Sequence, residues 1–337
     1  MLSWTAAAVA PAVSQARPSI HTRVQATPPA QRPEQQKTGT LAAAAASAAA
    51  PSTRGSGARQ QHWRCRNVVD GAASMTVTSS SDVDDGPALS TARAEAAAAG
   101  VQLQPTPELL DLLRHANAFT FDVDSTFCAD ESIDEIAAFL GVGEQVAALT
   151  AQAMGGSVLF QDALASRLGV MHPSRENLES FLAGHPPKIS PGIPQLVAAL
   201  RVAGKQVFLV SGGFRIVIHP IAESLGIPVE NVFANNILFD HDGAYDGFDP
   251  AEFTSSSGGK REAVQHIKQA HGFSKVVMVG DGITDFEARA EGGADAFIGY
   301  GGVVYRENVA KLSDWYVFSI ADITAALQQA TTALSAR

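Results

Sequence analysis

The chain has 337 residues, 46% of them hydrophobic, with 24 basic against 34 acidic side chains, enough apolar content for a sizeable core in one large or two ordinary domains. A net charge of −10 argues against a nucleic-acid groove, which needs clustered Lys and Arg, and fits a small charged ligand better. The two cysteines, Cys65 and Cys128, are too few for a disulfide framework and lack metal-ligand spacing, so Cys128 reads as an apolar filler.

The chain is uneven along its length. Residues 1–69 carry eight basic residues (Arg17, Arg23, Arg32, Lys37, Arg54, Arg59, Arg64 and Arg66) and one acid, Glu34, among Ala, Ser, Thr, Pro and Gln. The remainder holds 16 of the 24 basic and 33 of the 34 acidic residues. An acid-poor leader with Arg and Ser predicts an organellar transit peptide over 1–75, for a plastid by its Ser and Ala content, with a mitochondrion kept open by its arginines. Taken alone, "LAAAAASAAA" is only low complexity, as a disordered tail would be. No apolar run reaches the roughly 20 residues that span a bilayer, which predicts a soluble protein. Residues 76–104 read as a linker with a weak lead-in helix.

Stronger signals begin at "TPELLDLLRHA", where Thr106 can cap, Pro107 suits the first helical position and leucines follow at helical spacing. Short β-rich runs then alternate with helical stretches: "AFTFDVD", "KQVFLVSGG", "KVVMVGDG", "DAFIGYGG" and "DWYVFS". Runs of this length bounded by Gly or Asp predict an α/β fold with a doubly wound parallel sheet, its core in 105–130 and 191–337. Some 80 residues separate the first two runs, too many for an ordinary crossover. They open with "ESIDEIAAFLG", where Ile133, Ile136, Ala137 and Leu140 share a helical face. A helical cap inserted after the first strand, 131–190, is the expectation. A second insertion, "NVFANNILFDHDGAYDGFD", predicts a small β-hairpin flap over 231–249 turning at Asp242-Gly243.

Ligands of such sheets bind at the carboxyl ends of the strands, and Asp122, Asp124, Ser211, Asp281 and Asp285 fall at or just beyond those ends. An isolated Asp is usually a helix cap or a solvated loop residue. Several carboxylates at one crevice instead repel one another unless a cation neutralises them. A hard divalent ion such as Mg²⁺, which takes few carboxylates and completes its shell with water or a phosphate oxygen, suits this pattern.

"DVDST" (122–126), "SGGF" (211–214), "GGK" (258–260) and "GDGITDFEA" (280–288) resemble, in order, the four motifs of the haloacid-dehalogenase superfamily of phosphotransferases. "AMGGSVLFQDALASRL" (153–168), "PGIPQLVAALRVAGKQVFLVSGGFR" (191–215), "NVFANNILF" (231–239) and "DAFIGYGG" (295–302) extend the likeness to the phosphoserine phosphatases within it, over roughly 110–325. The resemblance implies a haloacid-dehalogenase-like core and Mg²⁺-dependent hydrolysis of O-phospho-L-serine through an aspartyl-phosphate. That reaction is the last step of the phosphorylated route to L-serine.

By the same resemblance Asp122 is the nucleophile and Asp124 the general acid and base. The metal is held by Asp122, the Asp124 main-chain carbonyl and Asp281, with Asp285 orienting that shell. Ser211, Gly212 and Lys260 bind the phosphoryl group. Glu131 meets the substrate ammonium and Arg167 its carboxylate, with Met154, Gly155 and Thr284 lining the site.

The plainer readings are a surface lysine for Lys260 and, for Arg167, an exposed helix residue paired with Asp162. Two departures from the family pattern occur: Phe127, where a smaller aliphatic is usual and which could alter cap closure, and "CADES". A phosphotransferase or phosphatase acting on a related small phosphoester is the alternative enzyme. A non-catalytic serine sensor would be expected to lack Asp122 or Asp124. Neither a nucleic-acid nor a membrane partner is expected. The oligomeric state is open, a homodimer being one option.

Overall fold

The computed structural model describes residues 87–154 and 158–332; the expected transit peptide and the start of the linker lie outside the described residues. Six strands form one parallel sheet in the order β3-β2-β1-β6-β7-β8. They are β1 (Ala118–Phe121), β2 (Gln206–Phe214), β3 (Val232–Asn235), β6 (Val276–Gly280), β7 (Ala296–Tyr300) and β8 (Trp315–Val317). Their period-two geometry sends neighbouring side chains to opposite faces. Phe119, Phe121, Leu209, Val277 and Val279 enter one core, while Phe208, Val210, Val276 and Met278 enter the other.

The first face is covered by α2 (Pro107–His115), α7 (Ile193–Val202), α8 (Arg215–Ser224) and α12 (Ile320–Thr332), the second by α9 (Gly259–His271), α10 (Ile283–Glu287) and α11 (Glu307–Leu312). Coverage on both faces is why the central strands read as unbroken apolar runs rather than alternating ones. Thr106 caps α2 by accepting the Leu109 N–H at 3.2 Å.

Between β1 and β2 the chain leaves the sheet through Cys128, which bridges Ile189 on the returning segment. The inserted stretch holds α3 (Ser132–Phe139), α4 (Gly143–Met154), α5 (Phe160–Met171) and α6 (Arg175–Gly184). Ile136 and Ala137 of α3 are fully buried, with Ile133 and Leu140 packed beside them. Phe127 is also fully buried, edge-on to Phe121 at 5.6 Å. The larger side chain at that position therefore packs into the core rather than standing at the cap mouth.

The flap expected over 231–249 is divided. Val232–Asn235 is β3, an edge strand of the main sheet, and the antiparallel hairpin is confined to β4 (Ile237–Phe239) and β5 (Tyr245–Phe248). Only Asn236 separates this edge strand from Ile237–Phe239, with no Gly or Pro to mark a break, so pattern alone does not part it from the apolar run that follows. The hairpin turns at Gly243, whose φ of +82° suits glycine. It rests on the inserted helices: the Arg175 N–H donates to Gly243 O at 2.9 Å, and the Arg175 guanidinium lies 4.6 Å from the Phe239 ring centroid.

Ahead of α2, α1 (Pro87–Ala98) and the segment after it lie against the free edge of the sheet. The Tyr316 N–H donates to Gln102 O at 2.8 Å, and Ala96 and Val101 are buried with Tyr316 and Phe318. Among the described residues no helix is long and apolar enough to cross a membrane.

Candidate active site

Strand β1 stops at Phe121, and residues 122–128 close a wide turn in which the Cys128 N–H reaches back five residues to Val123 O at 2.8 Å. Asp122 and Asp124, although two residues apart, do not share a strand face, because Asp124 lies within this turn. The turn holds Ser125 at φ +54°, a conformation a non-glycine residue adopts only when its surroundings enforce it. Here the Ser125 hydroxyl is fastened to Glu131 Oε1 at 2.6 Å.

The turn separates the two acids. Asp122 is buried, accepts the Val123 N–H at 2.7 Å and pairs with Lys260 Nζ at 2.7 Å. Asp124 faces the start of α3 instead, accepting the Ser132 N–H at 2.8 Å and the Ser132 hydroxyl at 3.2 Å. Burial, reinforced by the charges of Glu131 and Asp122, pushes the Asp124 carboxyl up to about 7 against the opposing Ser132 hydrogen bonds. Gly213 of β2 lies close against it: a Cβ there would stand 2.8 Å from Asp124 Oδ2 and push the carboxylate aside.

Asp281 and Asp285 arrive from the end of β6 and from α10. Asp281 accepts the Thr126 hydroxyl at 3.1 Å and is ion-paired with Arg306. Asp285, fully buried, takes the Gly282 N–H at 2.9 Å and Lys260 Nζ at 2.6 Å. Burial raises its pKa, aided by the charge of Asp122 and opposed by Lys260. Burial opposes the Lys260 charge, but Asp122 and Asp285 together outweigh it and hold the ammonium protonated. A Cβ at Gly280 would lie 2.2 Å from Asp285 Cγ, so only glycine leaves room for that carboxylate.

Asp122, Asp281 and Asp285 each bring one oxygen to a common site, all within 4.8 Å of one another. Together with Asp124 and Glu131 they make five acids against Lys260, Arg306 and Arg167, an excess of two negative charges when all are ionised. An all-oxygen donor set with unbalanced charge fits a hard divalent cation. The Asp124 carboxylate is outside this cluster.

Ser211 is fully buried in β2 and its hydroxyl accepts the Gly213 N–H at 3.0 Å. From the inserted helices, Phe160 closes over Gly212, where a Cβ would come within 2.9 Å of its ring. Burial raises the Glu131 pKa, offset in part by the Ser125 hydrogen bond. Burial lowers that of Arg167, whose Nε donates to Ala163 O at 3.2 Å. The carboxylates whose charge acts on Arg167 are Asp134, Glu131 and Asp124, rather than Asp162. Thr284 is half-buried at the start of α10. Gly155 and the Met154 side chain lie outside the described residues.

Four groups at the site were not read from the sequence: Arg306 on Asp281, Thr126 on Asp281, Ser132 on Asp124, and Asn235, whose Nδ2 donates to Gly212 O at 2.8 Å. Thr126 lies inside "DVDST" and could have been found there. Arg306, some 20 residues beyond the last motif, carries no local signal.

A family model for haloacid dehalogenase-like hydrolases matches residues 116–293. A chloroplastic phosphoserine phosphatase of Arabidopsis thaliana is 54% identical over 214 residues, 64% of this chain and 72% of that protein. A phosphoserine phosphatase of Bos taurus is 47% identical over 222 residues, 66% of this chain and 98% of that protein. Among solved structures, a phospho-aspartyl intermediate analogue of phosphoserine phosphatase superposes with a TM-score of 0.53 at 27% identity, covering 60% of this chain and 94% of that one.

Proposed function

Because the chain belongs to the phosphoserine phosphatases among the haloacid dehalogenase-like hydrolases, we propose that it hydrolyses O-phospho-L-serine to L-serine and phosphate through an aspartyl-phosphate on Asp122. What carries the reading is the contrast between two acids two residues apart: Asp122, held against Lys260 at 2.7 Å, and Asp124, pushed up to about 7. The first is set by its ion pair with the Lys260 ammonium where a nucleophile is needed, and the second can be protonated as an acid near neutral pH.

In the first half-reaction an Asp122 oxygen attacks phosphorus, the bond from phosphorus to the serine oxygen breaks, and Asp124 gives that oxygen its proton. In the second, Asp124 takes a proton from water, whose oxygen attacks the aspartyl-phosphate and frees inorganic phosphate. Lys260 and the Ser211 hydroxyl bind the phosphoryl oxygens, where charge spreads in the transition state. A divalent cation, Mg²⁺ in this proposal, would be held by Asp122, Asp281 and the Asp124 main-chain carbonyl with Asp285 beside them, and would supply charge neutralisation at the phosphoryl group.

Residues 131–190 act as the cap over this site, with Glu131 taking the substrate ammonium and Arg167 its carboxylate. Met154, Gly155, Gly212 and Thr284 complete the proposed lining. The Arabidopsis relative's chloroplast form and the Arg- and Ser-bearing leader support a plastid as the site of action.

The test follows phosphate release from phosphoserine and from a simple aryl phosphate, with and without Mg²⁺, in the parent, Glu131→Gln and Arg167→Ala. Each substitution leaves a charge of bound phosphoserine unpaired, a loss of about 2–5 kcal/mol for a buried pair. The aryl ester lacks those charges, so the ratio of kcat/KM for phosphoserine over aryl phosphate should fall steeply. A ratio unmoved in both variants would exclude phosphoserine selection through the cap.

A further inference from the structure

Behind the phosphate-binding serine runs a chain of hydrogen bonds with one direction throughout. The Thr254 hydroxyl donates to Asn235 Oδ1 at 3.1 Å, and Asn235 Nδ2 donates to Gly212 O at 2.8 Å. That carbonyl belongs to the same peptide unit as the Gly213 N–H, which donates to Ser211 Oγ at 3.0 Å. Asn235 is fully buried and Thr254 nearly so. The amide orientation is dictated by chemistry, because Gly212 O can only accept and the Asn235 nitrogen must face it. The Thr254 hydroxyl then donates to the other end of the amide.

We infer that Thr254 and Asn235 are positioning residues for the Ser211 hydroxyl, a reading that rests on Ser211 binding phosphate as proposed above. With its lone pair engaged by the Gly213 N–H, Ser211 turns its own proton outward as a donor to a phosphoryl oxygen. Each link polarises the next, so the chain strengthens its last donor as negative charge gathers on phosphate. Asn235 also holds the Gly212–Gly213 peptide by its carbonyl, and the Phe160 ring lies close to Gly212, within 2.9 Å of where a Cβ would stand. Two glycines in a row could not hold that peptide in place by themselves. The end of β3 thus supplies the site with a support that none of the four motifs contains.

Inorganic phosphate binding in the presence of Mg²⁺, measured by calorimetry on the full chain, tests this without turnover. Thr254→Val keeps the shape and removes the first donor, and Thr254→Ser keeps the hydroxyl. The Kd for phosphate should weaken about 3- to 10-fold in Thr254→Val, the scale of one net hydrogen bond, and stay at the parent value in Thr254→Ser. In a Ser211→Ala background the same Thr254→Val change should shift Kd by less than about 1.5-fold, because the coupling runs through the hydroxyl that is gone.

Asn235→Asp, which keeps the acceptor for Thr254 and loses the donor to Gly212 O, should weaken binding further. If it does not fold, the threonine series decides alone. An unmoved Kd in Thr254→Val, equal losses in both backgrounds, or a Thr254→Ser variant as weak as the valine would each overturn the inference. A parent that binds phosphate but leaves phosphoserine intact overturns the proposed function alone; a parent that binds no phosphate overturns both.

Discussion

Asp122 and Asp124 differ in chemistry because the turn between them sends one toward Lys260 and the other toward Ser132. Asp122→Asn removes the attacking negative oxygen while preserving shape. Turnover should drop by several orders of magnitude, and no phosphoenzyme should be trapped on acid quench. Asp124→Asn keeps the main chain and loses only proton transfer, a decrease of about 10²- to 10⁴-fold, with Mg²⁺ affinity retained. Near-normal activity in the first variant would remove Asp122 as nucleophile. The motif residues were legible because spacing along one strand end is a local property. Arg306 and Asn235 were not, because the chain brings them to Asp281 and Gly212 only by completing β7 and β3. The same limit hid the turn at 122–128, whose positive φ falls on a serine rather than a glycine.

Five of the six sheet strands announce themselves as largely apolar runs bounded by Gly or Asp, because burial on both faces leaves few polar positions in them. The sixth, β3, is short and at an edge, and "VFAN" runs without a break signal into the hairpin. Helices of the inserted segment were legible by the face of α3, yet their ends are set by local caps. Ser174 begins α6 with a reciprocal pair: its hydroxyl accepts the Asn177 N–H at 3.1 Å, and Asn177 Oδ1 accepts the Ser174 N–H at 3.1 Å. Ser174→Ala should cost about 1 kcal/mol, a lowering of the melting midpoint by about 2–4 °C. α6 contributes no group to the phosphate site, so kcat should stay within about twofold at 25 °C, where so small a loss leaves the native fraction nearly unchanged. A larger loss of activity would mean that α6 governs how the cap sits over its substrate.

At the scale of the whole molecule, the crowded carboxylates couple folding to pH and metal. Asp124 titrates near its ordinary 3.8 when unfolded and at about 7 in the fold. Between those values the folded state binds more protons, so metal-free stability falls as pH rises; Asp285 is shifted in the same direction. A divalent cation among Asp122, Asp281 and Asp285 would compete with the proton on Asp285 and disfavour the one on Asp124 only through its charge, so the rise in melting midpoint on adding Mg²⁺ should be larger at pH 8 than at pH 5. A rise that is flat or reversed across that range would separate the metal from these acids.

The fold also fixes where the domain begins. Residues 76–104 read in sequence only as a linker with a weak lead-in helix, yet the Gln102 carbonyl takes the N–H of Tyr316 on the edge strand β8, and Leu103 O takes the Trp315 indole N–H at 3.2 Å. Leu89, Ala92, Ala96 and Val101 cover Tyr316 and Phe318, and Arg93 lies 5.2 Å from the Phe318 ring centroid. A chain starting at residue 87 should match the full chain in kcat and melting midpoint. One starting at residue 105 bares β8 and its aromatic side chains, losing roughly 3–5 kcal/mol of burial and a midpoint shift on the order of 10 °C. Its open edge should also self-associate on concentration. Equal stability of the two truncations, read by thermal melts and light scattering, would reduce α1 and the segment after it to a passive tether.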